Sequence, residues 1–438
     1  MLKAHVRSTA VSAAVVVGIG VGLLLLGETV ATLSMDEPQR VAVPRVVAPI
    51  LPPAQPPAQP AAARLSFEDL VYEGAFRVPE ESNGESFSYG GQTLAYNPVS
   101  NTLFVGSLHG LVAEMSIPSP VKSTLAEQLP VASFVQPFRD PAEGRLREIA
   151  ESGVTLGGLL VHDGRLYGDG FIYYDATNSQ RLSHFARSLD LARAEVTPMQ
   201  QVGETGKAGF VAGYMATVPP EWRAALGGPA VTGQCCLSII GRTSFGPGLF
   251  AWNPADLGRR SPLPATPLLY YTQEHATLGP WEGANDMFGG TTEVAGVAII
   301  DRTRTVLFAG RNGMGTFCYG EGTGDARQAE VRGPNGEKNC YDPTNATKGQ
   351  HAFPYRLQFW AYDVNDLAAV RAGDRSPWDV RPYAVWPFEL PPIGDSYPRL
   401  GAISYDSAHR RLFMTQMFGD QEGYSRRPII HVFSVRER

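Results

Sequence analysis

The 438-residue chain has no block of Lys or Arg longer than two residues, only 18% charged residues and a formal net charge of −6. That balance excludes a nucleic-acid partner, which needs a basic patch to neutralise phosphates. Cysteine is scarce: there are four, with no Cys-x-x-Cys spacing, which excludes a zinc-ribbon or zinc-finger site. The histidines at 109, 162, 184, 275, 351, 409 and 431 include no His-x-x-x-His pair, and most of them read as surface or packing residues. A Gly-x-Ser-x-Gly nucleophile elbow is missing. Gly310-Arg-Asn-Gly-Met-Gly is not followed by a helix of a βαβ unit, so it is no dinucleotide fingerprint.

What the chain does have is one hairpin in four copies. It reads Ala95-Tyr-Asn-Pro-Val-Ser-Asn-Thr-Leu-Phe-Val, Leu160-Val-His-Asp-Gly-Arg-Leu-Tyr, Ile300-Asp-Arg-Thr-Arg-Thr-Val-Leu-Phe and Tyr405-Asp-Ser-Ala-His-Arg-Arg-Leu-Phe. Each copy has two apolar strands around a polar turn carrying Asn or Asp, and recurrence of one supersecondary unit signals a repeat architecture. A third strand is expected at 111–117, 182–189, 248–253, 357–364 and 428–435, and a fourth at 130–135, 195–202, 267–272 and 382–388. The third of five units has a degenerate first hairpin, whose strands are expected around Val211 to Ala216 and Cys236 to Ile240. Between them Pro219-Pro-Glu-Trp-Arg-Ala-Ala-Leu predicts a short helix opened by proline. The fifth unit ends without a fourth strand, and the strand-like stretch 67–78 is expected to fill that place, removing an open edge.

These hairpins resemble those of exported bacterial β-propellers, across about residues 65–435; the resemblance is architectural and reaches no narrower family. The Trp-Asp endings of WD40 repeats, the Asp-box of sialidases and the double glycine of kelch repeats are not in this sequence. The expectation is an all-β protein, a β-propeller of five four-stranded blades closed by its N-terminal strand, with six blades as the competitor.

Ahead of that domain, Lys3, His5 and Arg7 precede an uncharged run of twenty residues from Ser8 to Gly27. At about 1.5 Å per residue it spans roughly 30 Å, the thickness of a bilayer core. Residues 1–35 therefore read as a cytoplasmic stub and a transmembrane signal anchor, with a signal peptide cleaved near Thr29-Val-Ala-Thr as the alternative. Residues 36–63 carry eight prolines, a composition that favours an extended spacer. Residues 64–438 form the folded domain, held outside the cytoplasm on the membrane, or secreted if the segment is cleaved.

Cys318 and Cys340 flank a Gly-rich loop and are expected to form a disulfide, which would contribute about 3 kcal/mol. Cys235 and Cys236 form a vicinal disulfide, stay as two thiols, or differ in burial.

The long loops opposite the tight turns are where function is expected. Glu282, Asp286 and Glu293 in the 281–293 loop are the candidates for catalytic acid and base on a polysaccharide, since glycosidases pair two carboxylates about 5–10 Å apart. Asn285 and Asp286 would alternatively ligate Ca²⁺; otherwise no cofactor or metal is expected. Arg242 and Arg311 are candidate clamps for a carboxylate or phosphate. Tyr173, Tyr174, Trp281, Tyr319, His351, Tyr397 and Tyr424 complete the candidate ligand-binding set, aromatic faces suiting sugars and peptide side chains. Three function classes stay open: a binding or scaffold module for glycan, peptide or envelope components, a glycoside hydrolase or lyase, and a quinone-dependent dehydrogenase. Only the adjacent Cys235 and Cys236 suggest the last, and its tryptophan-rich blade repeats are not in this sequence.

Overall fold

The computed structural model describes residues 62–437, apart from 240, 274, 275, 279–285, 334, 335, 395 and 396. The expected membrane anchor, most of the proline spacer, and Trp281, Glu282, Asn285 and His275 lie outside the described residues. Among the described residues no helix is long and apolar enough to cross a membrane.

The described chain is mostly β, arranged as several small antiparallel sheets. Strand β1 (Leu70–Arg77) is followed by a two-stranded ribbon, β2 (Glu81–Ser82) and β3 (Glu85–Ser86). The first four-stranded sheet then runs β4 (Leu94–Asn97), β5 (Thr102–Gly106), β6 (Val112–Ser116) and β7 (Phe134–Arg139). The second has three strands, β8 (Val154–His162), β9 (Arg165–Ile172) and β10 (His184–Ser188). The third comprises β11 (Tyr214–Thr217), β12 (Ala230–Gly233), β13 (Leu249–Trp252) and β14 (Thr266–Leu269). In the fourth, β15 (Glu293–Ile300) and β16 (Thr305–Gly313) are separated by an insertion from β20 (Tyr355–Asp363) and β21 (Ala384–Pro387). That insertion is a small sheet of its own, with β17 (Cys318–Thr323) between β18 (Asn339–Tyr341) and β19 (Lys348–His351). The last sheet contains β22 (Arg399–Asp406), β23 (Arg411–Glu422) and β24 (Ser425–Val435), and β1 completes it by pairing antiparallel with β24.

Closure between the two ends of the domain follows from local chemistry. Consecutive residues Ala75 and Phe76 enter different apolar clusters as the strand pleats, and Phe76 meets Ile430 and Val432. Gly74, at φ 129°, stands where a Cβ would lie 2.6 Å from the backbone of Val121, so only glycine admits that close crossing. The first strands contact one another in the cyclic order β4, β8, β11, β15, β22 and back to β4. Apolar side chains fill the spaces between neighbouring sheets, as where Leu103 and Met115 of the first pack with Phe413 and Ile430 of the last.

Two strand expectations are corrected. Residues 195–202 make isolated bridges to His184 and Arg187 but no continuous strand, because Pro198 has no N–H to give to a ladder. The fully buried Arg187 instead gathers the surrounding loop by bonding the carbonyls of Asp140, Pro141, Leu191 and Arg193. In the third sheet the second strand is Ala230–Gly233 and not the stretch from Cys236. The expected helix, Pro220–Leu226, ends on Gly227 in the left-handed conformation, and the chain turns into its strand at once.

Candidate functional site

The same five first strands line a cavity at each end. At their starting ends lies a cavity of about 270 Å³, walled by Gln92 just before β4, Thr155 to Gly157 on β8, Gly213 just before β11, Glu293 to Ala295 on β15 and Arg399 to Gly401 on β22. Phe171 on β9, Met417 on β23 and the loop residues Tyr173, Gln234, Cys235 and Cys236 extend the wall.

Glu293 is the first residue of β15, directly opposite Arg311 of β16 in the ladder. Opposite charges at paired positions attract across a sheet, and here the geometry is a full fork. Arg311 Nε donates to Oε2 at 2.9 Å and Nη2 to Oε1 at 2.8 Å. From the neighbouring sheet, Arg399 repeats the pattern, Nε to Oε2 at 3.1 Å and Nη2 to Oε1 at 3.0 Å. Burial alone would push the Glu293 carboxyl up, but the two guanidiniums outweigh it and hold the group down at about 2. Glu293 is therefore an anion at any physiological pH.

The cluster carries one unit of positive charge, two guanidiniums against one carboxylate. Arg311 is well covered, its side chain 12% exposed with the Tyr355 ring 4.2 Å from its guanidinium carbon. Arg399 is 45% exposed and is the cation available to a ligand. Burial, then the nearby Glu293 charge, raise the Tyr173 phenol above its ordinary value, with Arg399 opposing. Tyr173 thus stands at the rim as a neutral hydroxyl.

The sulfurs of Cys235 and Cys236 are joined, with Cα atoms 3.1 Å apart, and the pair forms part of the cavity wall. Cys318 and Cys340 are joined as well, Cα to Cα 5.8 Å, tying β17 to β18.

Of the residues singled out in the sequence, Glu293, Arg311 and Tyr173 come together here. Asp286 does not: its side chain is 85% exposed and faces Arg356 at 3.4 Å. Arg242 donates to the carbonyls of Asp175 and Ala176 at 3.0 and 3.1 Å, which pins one loop to another. His351 is buried against Asp342. Tyr319 is exposed on the insertion, and Tyr397 packs on Phe353 with ring centroids 5.4 Å apart. Tyr174 is exposed without lining the cavity, and Tyr424 caps the β23–β24 hairpin, its carbonyl accepting from Tyr89.

Arg399 was not singled out, nor were Phe171, Gln92 and Met417. A usable signal did exist for Arg399. It opens its strand as Glu293 opens the one before, at the end of the repeat that carries the long loops.

Among the described residues lining the cavity, Glu293 is the one carboxylate. Among the described residues no group of three His, Cys, Asp or Glu is placed to hold a metal ion. No family model matches the chain, and comparison with curated proteins gives no match.

Proposed function

We propose that the domain is a five-bladed β-propeller, carried outside the cytoplasm on an N-terminal anchor, that binds a carboxylate-bearing sugar of an acidic glycan at the mouth lined by Glu293, Arg311 and Arg399. The observation that carries this reading is the charge of the cluster. Glu293 orients two guanidiniums and neutralises only one, so the exposed Arg399 edge attracts a single anionic group. Phe171 and Tyr173 add aromatic surface beside that charge, as a sugar ring requires. The cyclic contact order of the first strands and the pairing of β1 with β24 support the five-bladed ring.

A two-carboxylate glycosidase has less support. Glu293 is held as an anion and cannot serve as the general acid, and its partner would have to be Glu282, which lies outside the described residues. The deciding experiment is a binding screen of the full-length protein against uronate-containing and neutral oligosaccharides, with acidic peptides as competitors. Uronate-selective binding that disappears in Arg399→Ala is expected. Equal binding of neutral glycans, preference for the peptides, or cleavage of the glycan would overturn the reading.

A further inference from the structure

The insertion between β16 and β20 is linked to the Arg311–Glu293–Arg399 cluster through one buried carboxylate. Asp342 lies two residues beyond Cys340 and is 1% exposed. Its Oδ1 accepts from the Thr344 backbone N–H at 2.9 Å and the Thr344 hydroxyl at 2.6 Å. Its Oδ2 accepts from His351 Nδ1 at 2.8 Å and from the Tyr355 hydroxyl at 2.7 Å. The other His351 ring nitrogen, Nε2, lies 3.0 Å from the Thr347 carbonyl. One carboxylate therefore collects both strands that return from the insertion, β19 through His351 and β20 through Tyr355.

Tyr355 is the link to the mouth. The Arg311 guanidinium carbon lies over the Tyr355 ring, 4.2 Å from the centroid, while Arg311 and Arg399 both fork onto Glu293. A phenol ring held only by its backbone can swing about two side-chain torsions. With its hydroxyl bonded to a buried ion the ring has one position, and the guanidinium resting on it inherits that position. Neither Asp342 nor Tyr355 lines the cavity.

We propose that Asp342 is a positioning residue for the Arg311–Glu293–Arg399 cluster, and that the Cys318–Cys340 disulfide acts on ligand affinity through it, by holding β18 and hence Asp342 in place. This deepens the binding reading and rests on it for its ligand, but the positioning itself can be measured without ligand. The probes are glucuronate, followed by titration calorimetry, and phenylglyoxal, whose adduct at Arg311 is followed by peptide mass spectrometry.

In the full-length protein, Asp342→Asn and the double substitution Cys318→Ser with Cys340→Ser are each expected to speed phenylglyoxal modification of Arg311 about 5-fold or more and to weaken glucuronate binding about 10-fold. A destabilised control comes from the first sheet, where buried Glu114 accepts from Asn97 at 2.8 Å and Ser100 at 2.9 Å. Glu114→Gln is expected to lower the melting temperature with no change in either readout. Arg311 modification at the wild-type rate in both insertion variants would overturn the proposal, as would an equal acceleration in Glu114→Gln. Should an insertion variant fail to fold, Tyr355→Phe, which removes only the hydroxyl, gives the same test. Accelerated modification without glucuronate binding by the wild type would leave the positioning role standing and remove the uronate ligand.

Discussion

The two ends of the ring of first strands are made by the same five strands, yet one is a frame and the other a site. At the turn end lies the larger cavity, about 300 Å³, lined by residues such as Tyr96, Val161, Met215, Pro219 and Ile299. Its carboxylates are paired internally, while Arg223 on its wall donates to the Val218 carbonyl at 3.1 Å. Asp301 takes the Tyr405 hydroxyl at 2.6 Å and Arg410 at 3.1 Å, and the fully buried Asp406 takes His409 and Arg411. The loop end has a slightly smaller cavity and an ion cluster with one cation left over, facing inward. Volume therefore does not mark the site; two guanidiniums forked onto one carboxylate do.

The hardest test of that difference removes the spare cation. Charge-assisted hydrogen bonds contribute about 1.5–3 kcal/mol each, so Arg399→Ala should weaken glucuronate binding roughly 10- to 100-fold. Arg223→Ala, on the wall of the turn-end cavity, should change it less than about 2-fold. If calorimetry gives comparable losses for both, the two ends are not functionally distinct.

Exchanging the central carboxylate sharpens the same contrast. Glu293→Gln leaves two guanidiniums without their counter-ion, at a cost of about 1–3 kcal/mol in stability. Inorganic phosphate should then bind about 10-fold tighter than to the wild type, and a phosphate titration of both proteins checks this. Because Glu293 stays ionised down to about 2, wild-type glucuronate affinity should be flat between pH 5 and 9. A step in that range would mean that a titrating group other than Glu293 controls the mouth.

Acid should strike the frame before the mouth. His184 receives a hydrogen bond from Ser183 and donates to Thr232; His431 receives one from Tyr72 and donates to Gln416. Both rings are neutral, and burial holds each down at about 3, below the ordinary 6.5. The sign follows from the unfolded chain binding protons that the native one refuses. Stability is full above about pH 6.5 and falls as pH drops toward 3, by up to about 1.4 kcal/mol per pH unit for each ring. Urea unfolding at pH 7 and 4.5 should show this loss, and the double variant His184→Gln with His431→Gln should show less of it.

The frame was far more legible in the sequence than the site. The repeated hairpin, an apolar strand on either side of an Asn or Asp turn, is a local signal, and the turns form where those residues stand. Sequence also located the strand that pairs with β24, because an unfilled edge and an unused strand can be matched by counting. Where reading failed, one residue type was decisive, as with Pro198 breaking a ladder or Gly227 ending a helix early enough to move a strand. The site was half legible. Glu293 and Arg311 announced themselves as charged residues beside apolar strands, and Arg242 looked the same. What separates Arg311 from Arg242 is whether a carboxylate or a loop carbonyl faces it, and that depends on chain segments far apart in sequence. Arg399 is 106 residues from the carboxylate it clamps, and Asp342 reaches the cluster only through the packing of a ring.

The smallest expected effect belongs to the turns themselves. Asn101, Asp163, Arg302 and Arg410 adopt left-handed backbone at φ between 46° and 58°, one in each of the four repeated hairpins. Asn and Asp tolerate this conformation through local hydrogen bonding, whereas a β-branched side chain clashes there. Asp163→Val should therefore cost about 1–2 kcal/mol of stability. Asp163 stands next to Gly164 in a two-residue turn, and β8 continues from that turn to Thr155 and Leu156 on the cavity wall. The length of β8 separates the strain from the mouth, and the ladder between β8 and β9 can absorb it at the turn. Thermal unfolding of Asp163→Val should record the loss while its glucuronate affinity matches the wild type. A parallel fall in affinity would show that the turns set the geometry of the mouth, and the division into frame and site would fail.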